Sequence, residues 1–143
     1  MTDNNNLERF LTAQQRNYEI ALAELKRGKK ASHWMWYIFP QLQGLGESAT
    51  SQYYGIKNRE EALDYLHHPL LGERLITCCK ILLELKGRTA LEIFGYPDEL
   101  KLESCMTLFA QVSSNPVFAK VLDKYYAGGR DSQTLRMLET ANQ

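Results

Sequence analysis

DELKLESCMTLFAQ, residues 98–111, is the stretch on which the fold turns. Leu102, Cys105, Met106 and Phe109 recur at the spacing of one helical face. Leu100 and Leu108 lie on the other side, around Ser104. A helix with apolar groups on both sides has no face to offer to water and has to be buried. LLGERLITCCKILLEL, residues 70–85, is also apolar nearly all round. These two segments are therefore expected at the centre of the fold, with other helices wrapped about them.

Outward from this pair, the remaining helices follow from their end signals. Leu7, Phe10, Leu11, Tyr18, Leu22 and Leu25 form a helical stripe, with Asn6 as N-cap and Gly28 as the stop. The basic run of Lys26, Arg27, Lys29 and Lys30 complements the dipole at that helix end. Asn58 followed by Glu61 resembles a capping box and opens a helix to about Leu66. Pro69 fits the first position of the next, which runs to about Lys86. Thr89 with Glu92 starts a short helix ending at Gly95, and Asp98 caps the central one. Asn115–Pro116 starts another that stops near Gly128–Gly129, and Asp131 or Ser132 starts the last. No segment alternates apolar and polar residues as a strand does. The fold class expected is all-α: a single compact multihelical domain over residues 1–143, with residues 1–6 as a disordered tail.

Bulk properties exclude several functions. At 143 residues the chain has one domain's length and buries a core without staples. Its 17 basic and 17 acidic residues cancel, which argues against polymeric nucleic acid as a partner but leaves room for a small anion in a local pocket. No apolar run spans a membrane, and the polar N-terminus MTDNNNLERF lacks the pattern of a signal peptide, so a cytoplasmic location is expected. Cys78, Cys79 and Cys105, an odd count, read as reduced thiols. Cys78–Cys79 and His67–His68 are adjacent pairs pointing about 100° apart on a helix, and no ligand spacing joins them, so no metal or other cofactor is expected.

The candidate site is HWMWYIFPQ, residues 33–41, which holds both tryptophans. A loop with Gly44 and Gly46 follows, then Ser48 and Ser51–Gln52–Tyr53–Tyr54. Aromatic walls bury large areas in any core. Interleaved with His33, Gln41, Ser48 and Ser51, they also suit a heteroaromatic ligand such as a nucleobase. Gly44-x-Gly46 would let backbone N–H groups approach a phosphate. On the central helix, Lys101 facing this segment would give an anionic ligand a fixed positive charge, with Ser104 beside it. The expected ligand-binding set is Trp34, Trp36, Gln41, Ser48, Tyr54, Lys101 and Ser104. His33 is either an acid–base group or a hydrogen-bonder at a helix end.

Arg9-Phe-x-x-Ala13-Gln14, the segment His33–Gln41, Gly44-Leu-Gly-x-Ser48, Glu61-Ala-x-x-Tyr65-Leu, Leu71-Gly-x-Arg74-Leu and Lys101-Leu-x-Ser104-x-Met106-Thr-Leu-Phe109 occur in this order along nearly the whole chain. In them the chain resembles a bacterial domain-of-unknown-function family, number 1810, whose members are often labelled calpastatin. That label implies a disordered inhibitor, which a periodic, tryptophan-bearing chain cannot be. The resemblance implies a compact multihelical domain and no particular activity. A shorter similarity is to the NADAR group, which handles NAD- and ADP-ribose-derived compounds and includes N-glycosidases acting on ADP-ribosylated guanine. Ser51–Gln52–Tyr53–Tyr54 with Lys57 is similar to its first motif; Met106–Phe109, Asn115–Pro116 and Val121–Leu122 are similar to its second. Where that group carries its catalytic glutamate, this chain has Gln52.

Two functional readings follow. One is an N-glycosidase-type hydrolase acting on a nucleotide or ADP-ribose derivative, with Glu103 as the carboxylate that the oxocarbenium-like state requires and His33 handling the proton. The other is a non-catalytic binding module for a nucleotide-like ligand or a protein partner. A purely structural domain stays open beside them.

Overall fold

A computed structural model of the chain describes residues 6–141. The expected central helix is present as Asp98–Val112, and Leu102, Cys105, Met106, Leu108 and Phe109 are all fully buried. Among the described residues nine helices occur: α1 Glu8–Arg27, α2 Met35–Ile38, α3 Ala49–Tyr54, α4 Arg59–His67, α5 Leu71–Glu84, α6 Ala90–Phe94, α7 Asp98–Val112, α8 Val117–Tyr126 and α9 Ser132–Ala141. None of the described residues forms a strand; Leu42 and Ile56 make one isolated parallel bridge. None of these helices is long and apolar enough to cross a membrane.

Helix α7 packs against α4, α6, α8 and α9, while α5 packs against α1, α4 and α8. The two face each other at Cys79 and Met106, whose sulfur atoms are 3.6 Å apart. Leu71, Leu75, Cys78, Cys79 and Leu82 of α5 are buried, yet Glu73, Lys80 and Glu84 keep a narrow stripe in water. Leu100, expected on an apolar side of α7, is instead 47% exposed.

Most end signals act as read. Gly28 closes α1 in the left-handed conformation at φ 75°, and Thr89 with Glu92 forms a complete capping box. The Asn58 side chain accepts from Glu61 N–H, while Glu61 reaches back to Lys57 N–H, one residue beyond the usual partner. Three expectations are corrected. Asn6 does not cap α1, which begins after Leu7 without a side-chain cap. Asp98 is not a cap but the first residue of α7, and its carboxylate turns to two lysines. Pro69 is not the first residue of α5, which starts two residues later at Leu71; in the turn before it His68 Nδ1 accepts from the N–H groups of Leu70 and Leu71 at 3.1 and 3.3 Å. Close approach explains Gly72: a Cβ there would come within 1.9 Å of the Leu66 carbonyl oxygen, so glycine lets α5 start against α4. Of the expected tail, residues 1–5 lie outside the described residues, and the Asn6 carbonyl accepts a hydrogen bond from Arg9.

Candidate functional site

Three buried polar residues of α1 build the frame of the site. Each ties other parts of the chain to α1. Arg9 donates from Nε to the Tyr53 carbonyl (2.8 Å), from Nη2 to the Gly55 carbonyl (2.9 Å), and to both oxygens of Glu61. Glu61 is fully buried and Arg9 is 7% exposed, so this pair fixes the end of α3 from beneath. Gln14 donates to the Tyr37 carbonyl (2.7 Å) and to Tyr65 Oη (3.1 Å), and accepts from Arg74. Glu24 accepts from the N–H groups of Ala31 and Ser32, the Ser32 hydroxyl and the Trp34 indole. Burial by itself would raise its pKa, but the hydrogen bonds from Ser32, Ala31 and Trp34 win and hold the carboxyl at about 2.

These anchors place the segment 33–41 between α1 and α7. Trp34 is turned inward: 1% exposed, bonded to Glu24, and packed near Phe39 and Phe94. It is therefore core and not a wall of the site, because its only polar atom is already satisfied within the protein. Trp36 faces the other way. A cleft is lined by Met35, Trp36, Phe39, Gln41, Ser51, Tyr54, Gly55 and Lys101. The cleft has about 10 Å³ free, the room of one water. Thus Trp36, Gln41, Tyr54 and Lys101 of the expected set come together.

Lys101 Nζ lies 4.8 Å from the centroid of the Trp36 ring, within cation–π range. It is also 3.2 Å from Asp98, whose other oxygen is 2.8 Å from Lys30 Nζ. Lys30 in turn lies 5.3 Å from the Trp34 ring centroid. Two ammoniums share one carboxylate, so the cluster carries a net positive charge. The Trp36 Nε1–H is buried and has no acceptor within the protein. Burial, with a smaller effect from Tyr53 and an offset from Arg9, raises the Tyr54 pKa, so Tyr54 stays a neutral phenol at physiological pH.

The other expected residues lie elsewhere. Ser48 is exposed and caps α3, accepting from Ser51 N–H; Ser51 takes its place in the cleft. Ser104 is buried and donates its proton to the Leu100 carbonyl, as serines within helices often do. His33 is exposed, and only its backbone carbonyl is engaged, by Tyr37 Oη at 3.1 Å. Glu103 sits about 200° around α7 from Lys101, beside Gly129 at the turn between α8 and α9. Burial, then Asp131 and Glu99, raise its pKa. It cannot serve as the carboxylate of the Trp36 cleft. Gln52 is exposed and donates to the Glu47 carbonyl. Gly46 is explained by packing: a Cβ there would meet Ser51 Oγ at 2.5 Å. No three His, Cys, Asp or Glu side chains converge as metal ligands among the described residues.

A second hollow of about 240 Å³ shares Gly55 with the cleft and is bounded by Asn6, Arg9, Gln43, Tyr53, Lys57 and Glu61. The sequence pattern did not single out this hollow, nor the Lys30–Asp98 pair. A usable signal was present: Arg9, Gln14 and Glu24 fall on the stripe of Phe10, Ala21 and Leu25, where a polar residue needs a buried partner.

Comparison with known proteins agrees with this architecture. The crystal structure of the conserved hypothetical protein Rv1873 from Mycobacterium tuberculosis superposes with a TM-score of 0.94 at 48% identity, covering 96% of this chain and 99% of that one. No curated protein matches. These comparisons do not show the likeness to the NADAR group. The model of the family described as "Protein of unknown function (DUF1810)" matches residues 4–138, and the chain belongs to that family.

Proposed function

We propose that this protein is a non-catalytic binding module for a small, planar, anionic ligand of nucleotide-like chemistry, held at the Trp36–Lys101 cleft. The observation that carries this reading is the Lys101 ammonium 4.8 Å from the Trp36 ring centroid, in a cluster with net positive charge. An aromatic face and a fixed cation suit a heteroaromatic anion. The cleft is too small for a whole nucleotide, so only one edge or group of the ligand enters it. The adjoining hollow of about 240 Å³ offers space for the rest.

The hydrolase reading loses its support at this geometry. Cleavage of an N-glycosidic bond calls for a carboxylate at the sugar. Glu103 lies on the far side of α7, and Asp98 is held between two ammoniums. The test is to titrate ADP-ribose, AMP and NAD by calorimetry and tryptophan fluorescence, and to analyse the same mixtures by mass spectrometry. Saturable binding without product is expected. No heat or spectral change up to about 10 mM ligand, weaker than any useful recognition, would overturn the reading; release of base or ribose would replace it with the enzyme.

A further inference from the structure

We infer that the corner between α6 and α7 is a docking surface for an acidic segment of a partner protein, one that carries aliphatic side chains between its carboxylates. Among the described residues six large apolar side chains are exposed, and three of them, Leu91, Tyr96 and Leu100, fall within ten residues at this corner. Gly95 N–H donates to the Leu91 carbonyl, Glu99 N–H to the Gly95 carbonyl and Leu100 N–H to the Pro97 carbonyl, so the three stand on one compact turn. Ile93 and Phe94 are buried and anchor it from its inner side. Apolar residues exposed singly are ordinary, whereas a group of them rimmed by charge marks a surface that meets another protein.

The rim is basic. Lys30 N–H donates to the Ile93 carbonyl (2.7 Å), which seats the end of α1 against α6. The Arg88 side chain lies over Gly28, its Nε 3.2 Å from where a Cβ would stand. Arg88 and Lys29 are close enough to Glu92 to attract its carboxylate, and Lys30 and Lys101 share Asp98. Four cations thus converge on two carboxylates, while Glu99 acts on Glu103, on the other side of α7. Lys26 and Arg27, exposed in the last turn of α1, extend the excess. The whole chain has no net charge, so the excess is local and steers an acidic partner to this corner. A lipid surface matches it less well. Helix α6 has five residues, too few to lay an apolar face into a bilayer, and anionic headgroups would repel Glu92 and Asp98 within the patch. Peptide N–H groups can approach those same carboxylates.

The inference is independent of the small-ligand reading, because Lys29, Arg88, Leu91 and Tyr96 line no part of the Trp36 cleft. The probe is a fluorescein-labelled peptide of repeated Glu-Leu-Leu-Glu, titrated with the full chain and followed by fluorescence anisotropy. Saturable binding is expected, weakening as salt screens the charges. Lys in place of Glu in the peptide, or Ser in place of Leu, should each weaken it at least about tenfold. On the protein, Lys29→Gln with Arg88→Gln should do the same, as should Leu91→Ser with Tyr96→Ser; an unchanged thermal melt reports an intact fold in both. Ile20→Ser with Leu70→Ser, exposed apolar positions elsewhere, should leave binding unchanged. No saturable binding of the Glu–Leu peptide, or binding that both corner variants leave unchanged, overturns the docking surface. Tighter binding to phosphatidylserine vesicles that the corner variants lose overturns the protein partner in favour of a membrane. Self-association of the chain that the same variants abolish overturns it in favour of a second copy.

Discussion

Replacement of Glu24 by glutamine tests how the segment bearing both tryptophans is held. The Glu24 carboxylate is 4% exposed and takes four donors: Oε1 accepts from Ala31 N–H (2.7 Å), Ser32 N–H (3.0 Å) and Trp34 Nε1 (2.8 Å), and Oε2 accepts from the Ser32 hydroxyl. Glutamine keeps the shape and the three contacts at Oε1. Its amide nitrogen would meet Ser32 Oγ, and the hydroxyl can rotate to accept. What is lost is the charge. Glutamine thus mimics the protonated acid, and the cost follows from linkage. The carboxyl shifts from its ordinary 4.5 to about 2 on folding. At about 1.4 kcal/mol for each pH unit, Glu24→Gln should cost about 3 kcal/mol at neutral pH.

The sign is fixed by the direction of the shift. A carboxyl lowered on folding stabilises above its unfolded value of 4.5 and loses that contribution as pH falls through about 2. The difference between the parent and Glu24→Gln should therefore shrink from about 3 kcal/mol at about pH 7 to about 1 kcal/mol at about pH 3. Urea unfolding at a series of pH values measures it, and the subtraction removes the titration of the other carboxylates. A difference below about 0.5 kcal/mol at neutral pH, or one that does not change with pH, would refute the account of Glu24 as a charged clamp.

Three further outcomes follow. Glu61→Ala leaves the Arg9 guanidinium buried without its counter-charge and should destabilise the chain by about 3–5 kcal/mol in urea melts, far more than an exposed pair would. Gly72→Ala puts a Cβ within 1.9 Å of the Leu66 carbonyl oxygen, so it should cost about 1–3 kcal/mol although alanine favours helices; a neutral or stabilising result would contradict the close approach of α4 and α5. All three cysteines are buried with raised pKa values, Cys78 pushed up to about 12, so a thiol reagent at neutral pH should react with the unfolded chain and leave the native one untouched.

The fold was largely legible because burial of α7 is written in its composition. Apolar residues on both sides of one helix leave no alternative to a central place, and Leu102 and Met106 are indeed fully buried. Helices α2 and α3 were not legible. At four and six residues they are shorter than two turns, and no periodicity develops over that length. The clamps were hidden for a different reason. Arg9 and Glu61 are 52 positions apart, and a residue type says that a buried charge needs a partner without saying which one.

Within the site, helix geometry separates Lys101 from Glu103 and Trp36 from Trp34. Each residue turns about 100° around a helix, so positions two apart point to nearly opposite sides. Lys101 and Glu103 therefore cannot both face the aromatic segment, and choosing Lys101 as the cation already removes Glu103 as its neighbouring carboxylate. The same reasoning divides the tryptophans. Trp34 stands at the start of α2 and Trp36 within it; one is turned into the core against Glu24, and the other lines the cleft with Lys101. On the side of α7 that bears Lys101, one turn away, stand Asp98, Ser104 and Cys105. Of these only Asp98 is a carboxylate, and it is engaged by Lys30 and Lys101. Ser104 spends its proton on the Leu100 carbonyl, and Cys105 is buried with a raised pKa. Helix α7 thus brings one cation, Lys101, to the cleft with Asp98 as its counter-charge, and that pair is what the proposed binding of an anion uses.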